Sequence, residues 1–268
     1  MDRGTLTISK RVLAAAAIAL LVIAPSSNLE AQSSANLPAL APPPQSYAFP
    51  AKQTLHYVVD WRVFPAATAS IHLELEGDTV RVSGSGETIE ALNLLFRVSD
   101  KFQSSFDRKT GCSRGFSKQI VEGRRQVNTE LKFDYAQRKS TQVEKNLVSG
   151  ITKHEEAPIP GCVTDLLSGI FYAASQPIQV GQSFQMPLAD ALHTLPVTMK
   201  ALSREEVKTP SGTYQTIRLQ PTADSGVVKN KGEIWIWYSD DARHIPVQMR
   251  ARLFWGTLTM RLSGIEPK

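Results

Sequence analysis

Five histidines, two cysteines and an adjacent aspartate pair are the residues of this 268-residue chain whose types could do chemistry. Zinc hydrolysis asks for two histidines one helical turn apart around a glutamate, so that both imidazoles meet one metal. His56, His72, His154, His193 and His244 have no such spacing, and His154-Glu155-Glu156 lacks the second histidine. Each reads as a solvated strand or loop residue. Asp240-Asp241 could pair two carboxylates for acid–base work or cation binding. Neighbours in extended chain point to opposite sides, however, and short acids are the expected formers of a tight turn. Asp100, Asp165 and Glu233 stand alone, in the manner of acids that brace backbone donors in a β core. The sequence holds no Gly-x-Ser-x-Gly elbow and no Cys-x-x-Cys pair. Ser83-Gly84-Ser85-Gly86 is not followed by the Gly-Lys-Ser/Thr of a phosphate loop. No catalytic residue, metal ligand or cofactor is assigned, and a non-enzymatic protein is expected, with a hydrolase as the lesser alternative.

Residues 1–31 have the form of a secretory signal: Arg3, Lys10 and Arg11, then the apolar run Val12 to Ala24, then Pro25-Ser26-Ser27. That run falls short of the ~20 apolar residues a membrane span needs. Cleavage after Ala31 is expected, with Ser26 and Ala35 as alternative sites and a retained N-terminal anchor as the other reading. The protein is then periplasmic or secreted. The leader contributes +1 of the +5 net charge, and the remaining basic residues are scattered along strand faces, without the Lys/Arg block of a nucleic-acid binder. Cys112 and Cys162 both lie beyond the leader, in a compartment that permits disulfides. They are read as one bridge, with two buried thiols as the alternative.

The positioning elements are strands. Residues 32–51 are Pro-, Ala- and Ser-rich without a period, a semi-rigid linker. From Leu55 onward the strand period recurs, with glycine- and proline-bearing turns between runs. Ser83 to Gly86 suits a bulge or bend in the third strand. Thr164 to Ser175 is the one good helix, capped by Thr164 or Asp165, with Leu166, Leu167, Ile170, Phe171 and Ala174 on one face. One amphipathic helix in an all-β chain lies across a sheet or plugs a barrel end. The expected fold is therefore mainly β: a curled antiparallel sheet or open β-barrel of roughly 11–13 strands with one central amphipathic helix. Residues 52–265 form its single domain. An outer-membrane barrel is the lesser alternative, since the strands are short and the chain has no terminal aromatic.

The closing stretch, Gly232 to Leu262, reads as three consecutive strands. Ile234, Ile236 and Tyr238 share one face of the first, and Trp235 and Trp237 the other. Ile245, Val247, Met249, Ala251 and Leu253 line one face of the second. Trp61, Phe171, Ile234, Trp235, Ile236, Trp237 and Val247 are the candidate ligand-binding residues, with core packing as the alternative role for the aromatics. The expected partner is a lipid-like apolar or amphipathic envelope ligand; the alternative is a scaffold or interaction protein with a filled interior. Nucleic acid is not expected.

Five segments together carry a family resemblance: Leu55-x-Tyr57-x-Val59-x-Trp61, Ser99-Asp100-x-Phe102-x-Ser104, Val163-x-Asp165-x-x-Ser168, Pro210-Ser211-Gly212-Thr213-Tyr214, and Ile236-Trp237-Tyr238-Ser239-Asp240-Asp241-x-x-x-Ile245-Pro246-Val247. The chain resembles the exported bacterial family known as domain of unknown function 3108. The resemblance implies an exported, mostly β envelope protein and carries over no catalytic residues.

Overall fold

Strand alternation builds nearly the whole molecule, and antiparallel pairing joins its strands into one 14-stranded sheet. The computed structural model describes residues 37–93, 97–224, 232–253 and 256–267. The signal-like residues 1–31 lie outside these, as do Leu95, Phe96 and Trp255. The first meander comprises β1 (Lys52–Trp61), β2 (Phe64–Glu76), β3 (Thr79–Thr88), the short helix α1 (Glu90–Asn93), β4 (Ser99–Asp107), β5 (Ser113–Glu122), β6 (Arg125–Asp134), β7 (Lys139–Asn146) and β8 (Thr152–Pro158). Helix α2 (Leu166–Ser175) then carries the chain to the other edge of the sheet. There the second meander runs through β9 (Ser183–Asp190), β10 (His193–Thr209), β11 (Gly212–Thr222), β12 (Glu233–Ser239), β13 (Pro246–Leu253) and β14 (Gly256–Glu266). β14 pairs with β1, Tyr57 opposite Leu262, so the first and last strands join the two meanders.

The strand count exceeds the expected range because of β8. Its residues are exposed nearly throughout, and an edge strand without a buried face shows no alternation to read. β3 pairs with β2 and β4 without a register shift through Ser83 to Gly86, so those glycines make no bulge there. Gly84 faces the helix, where a Cβ would make ordinary contact at 3.9 Å with Leu167 Cδ2 and Phe102 Cβ.

Helix α2 lies inside the curl, in contact with β4 and β9. Asp165 begins it, and Gln176-Pro177 ends it because the residue before proline is steered out of the helical region. The two residues before the cap draw the sheet closed. Thr164 N–H donates to the Pro187 carbonyl (2.9 Å) and Ala189 N–H to the Thr164 carbonyl (2.7 Å), adding a parallel bridge to the free edge of β9. Ser113 N–H donates to the Val163 carbonyl (2.8 Å) and so ties the same segment to β5. The curl closes through this stitch, and β6, β7 and β8 continue past it.

Residues 37–51, read from composition as a linker, lie across one end of the curl. Tyr172 Oη donates to the Ala41 carbonyl (2.9 Å) and Tyr47 Oη to the Arg243 carbonyl (3.1 Å). Phe49 packs edge-on to Phe106, ring centroids 5.5 Å apart. Gly111, at φ +76°, lets the β4–β5 turn pass close to α2 and this segment, since a Cβ there would sit 2.8 Å from the Tyr172 ring and 3.3 Å from Leu40 Cδ2. The main apolar core fills the inside of the curl, while Arg250, Arg252 and Arg261 stand on the outside of β13 and β14 beside the outer tryptophans and Asp60. A lipid-embedded barrel has the opposite polarity. Among the described residues no helix is long and apolar enough to cross a membrane.

Candidate functional site

Alternation along the curled strands sends one set of side chains toward α2, and a cavity of about 100 Å³ remains between them. The helix supplies Leu166, Leu167, Gly169 and Ile170 to its wall, and the sheet supplies Ile71, Gly84, Phe102, Ile234 and Ile236. All the methionines of the chain except Met1 also line it: Met186, Met199, Met249 and Met260. Their unbranched, polarizable side chains adapt to the shape of a neighbour better than branched ones do. The polar residues in the wall are Ser70 and Ser85, whose hydroxyls bond each other at 2.9 Å. An apolar wall whose hydroxyls are mutually satisfied suits hydrocarbon and offers no charge to a reacting group.

The helix over this cavity is held by one buried carboxylate. Asp165 Oδ1 accepts from Leu167 N–H (2.9 Å) and Ser168 N–H (3.0 Å), while Oδ2 accepts from Ser104 Oγ and Ser113 Oγ, both at 2.6 Å. Ser168 Oγ in turn accepts from the Asp165 N–H, closing a capping box. Burial pushes the Asp165 carboxyl up, against the pull of these hydrogen bonds. Farther along the helix, Tyr238 Oη donates to the Ile170 carbonyl (2.9 Å). His244 Nδ1 lies 2.7 Å from the Ala174 carbonyl and donates to it, so this histidine caps the helix rather than standing in solvent. Cys112 and Cys162 are bonded, Cα atoms 5.1 Å apart, which fixes the helix approach to the β4–β5 turn.

The candidate ligand residues divide between the two faces of the sheet. Ile234 and Ile236 reach the cavity. Phe171 is buried in the core on another side of the helix, away from the cavity wall. Trp61 packs at the rim where β1 ends, with the Arg62 guanidinium 5.4 Å from its ring centre. Trp235 and Trp237 are on the outer face, under Arg252 and Arg250 at 5.7 and 5.3 Å. Trp237 Nε1–H also donates to Glu205 (3.0 Å). Val247, expected to share the inner face with Met249, packs outside with Trp237 and Val207. The cause is a β-bulge: Trp237 opposes Gln248 but Tyr238 opposes Pro246, so the inward count slips by one at Val247.

Neither the aspartate pair nor the histidines form a reacting cluster. Asp241 accepts from Ser239 Oγ (2.9 Å) and Arg243 N–H (3.0 Å) inside the β12–β13 turn, and Asp240 pairs with Arg204 (2.7 Å). Among the described residues no group of three or more His, Cys, Asp or Glu side chains is placed to hold a metal.

A family model described as protein of unknown function, DUF3108, matches residues 56–263, a span that takes in α2 and reaches from β1 to β14. The chain belongs to this family. No curated protein matches it. Solved structures similar to this DUF3108 chain include a β-barrel-like protein of domain of unknown function DUF1849 from Brucella abortus. It is 11% identical, with 85% of this chain and 98% of that one covered and a TM-score of 0.48. A Bacteroides fragilis protein described as exported, with a YmcC-like fold, is 8% identical over 82% of this chain and 97% of that one, TM-score 0.37. A Parabacteroides distasonis protein described as a lipoprotein is 7% identical over 82% and 98%, TM-score 0.36.

Sequence reasoning missed the methionines and the two glycines of this DUF3108 cavity. A signal existed for the former, since Met249 and Met260 occupy the apolar positions of two alternating strands. Gly84 and Gly169 gave none, because their role depends on how closely helix and sheet approach each other: a Cβ on Gly169 would stand 3.3 Å from Met186 Cε.

Proposed function

We propose that this protein is a non-enzymatic envelope protein that holds the hydrocarbon part of an apolar or amphipathic, lipid-like ligand between α2 and the inner face of the sheet. The observation that carries the reading is the methionine-lined apolar cavity of about 100 Å³. Its volume is below the ~300–1,000 Å³ common for small-molecule sites, so a single narrow chain fits the reading better than a bulky headgroup. The methionines would move aside for it. The signal-like leader and the cysteine pair support an exported, oxidising location. Asp165, buried at the start of α2, has its oxygens occupied by structural donors, which supports a non-catalytic role.

The small volume of the void favours a second reading, an interaction protein whose interior is merely packed. Titration with a fluorescent fatty acid separates the two. The ligand reading expects saturable binding, weakened at least about tenfold by Gly84→Leu, which fills the cavity, and retained in Met249→Ala, which enlarges it. Absence of saturable binding in the parent protein and in Met249→Ala would leave the packed-interior reading.

A further inference from the structure

The antiparallel order places the β1–β2 and β7–β8 hairpins at the same end of the sheet, opposite the end covered by residues 37–51. Both tips carry large apolar side chains in the open. Val63 is 80% exposed and Phe64 64%; at the other tip Val148 is 67% and Ile151 61%, with Leu147 beside them. Of the exposed large hydrophobics among the described residues, only Val180 and Leu202 are elsewhere. Interior packing does not require any of these tip residues, and turns are ordinarily polar.

Cations flank the apolar tips. Arg62 adjoins Val63, Lys145 and Lys153 bracket the second tip, and Arg97 and Arg124 are exposed on the connections between them. The acids at this end are Glu87, Glu90 and Asp224, with the half-buried Glu144 opposite Lys153 and Glu155 two residues beyond it. Trp61 and the overlying Arg62 guanidinium sit just behind the first tip, an aromatic–cation pair suited to the headgroup level of a bilayer.

We infer that this end of the sheet docks on the surface of a bilayer containing anionic lipids, with the two hairpin tips entering the headgroup–acyl boundary. Four strands separate the two hairpins, so their centres are six strand spacings apart, roughly 30 Å along the sheet at ~4.8 Å per spacing. A fluid membrane accepts two separate apolar insertions with cations between them, whereas a protein partner would select one contiguous apolar patch. This inference does not rest on the cavity.

Flotation of the purified protein with phosphatidylcholine vesicles, with and without roughly one-third phosphatidylglycerol, tests it. The protein is expected to float with the anionic vesicles, less so at high salt, and much less with phosphatidylcholine alone. Val63→Ser with Phe64→Ser, and Val148→Ser with Ile151→Ser, should each lower the bound fraction at least about fivefold. Both double variants alter exposed side chains, and an unchanged thermal midpoint certifies their fold. Arg62→Glu with Lys145→Glu, which leaves the apolar tips intact, should abolish the preference for phosphatidylglycerol. No flotation of the parent protein with anionic vesicles, equal flotation of all variants, or binding indifferent to lipid charge would overturn the inference. Fatty-acid titration of the serine variants separates this outcome from the cavity reading, because their cavity is untouched.

Discussion

The Ser113 hydroxyl donates a 2.6 Å hydrogen bond to the buried Asp165 carboxylate, which also caps α2. One side chain thereby joins the interior helix to the start of β5, and Ser104 adds β4 to the same oxygen. Asp165→Ala would strand four donors in the core and is expected to cost about 4 kcal/mol or more. Asp165→Asn keeps an acceptor for the two helix N–H groups and should cost roughly 1–2 kcal/mol. Urea unfolding of the two variants measures the difference, and equal losses would contradict the role given to the oxygens.

The disulfide links residues 50 positions apart. In the chain-entropy treatment a loop of that length is worth about 4 kcal/mol, because the unfolded chain is restrained more than the folded one. Cys112→Ser with Cys162→Ser should lower the stability by that order, and reductant should do the same to the parent protein. The far-UV spectrum at low denaturant should persist, since backbone bonds on both sides still hold the segment before α2.

Asp100 gives a pH dependence with a definite sign. Burial raises its carboxyl to about 7; the Val121 N–H opposes the rise, the Glu122 charge adds to it and Arg125 opposes it. A folded pKa above the unfolded one means the folded state holds the extra proton, so this stabilisation is complete below pH ~4 and is lost as the pH rises toward ~7. The loss is on the order of 4 kcal/mol. Asp100→Asn should flatten this part of the stability profile between pH 4 and 7, read by urea midpoints; parallel profiles for the two proteins would refute it.

The two faces of β12 should respond differently. Ile236→Phe narrows the cavity and is expected to weaken fatty-acid binding about tenfold. Trp237→Phe removes an outer hydrogen bond to Glu205 and should cost about 1 kcal/mol of stability while leaving that binding unchanged. Reversed effects in the same titration would place the ligand on the outer face.

The β architecture, the interior helix and its cap were legible because they depend on local periods: alternation at Leu55, Tyr57 and Val59, and helical spacing at Leu167, Ile170 and Phe171. Trp235 and Trp237 attracted a ligand role as aromatics on a strand apolar on both faces, and only the direction of sheet curl decides which face is inside. Val247 was misplaced by a bulge whose partner, Tyr238, sits across a hairpin. β8 escaped a clear reading because pairing through backbone alone leaves no apolar signature. The packing of residues 37–51 was hidden for a related reason, since Tyr47 and Phe49 are isolated anchors without a repeating spacing.

The central claim, that hydrocarbon occupies the space beneath α2, is tested most directly by native mass spectrometry of the protein purified from its host. The account expects a bound species with the mass of a single-chain lipid in the parent protein, absent from Gly84→Leu. A ligand-free mass for the parent protein, or an adduct that Gly84→Leu retains undiminished, would contradict it.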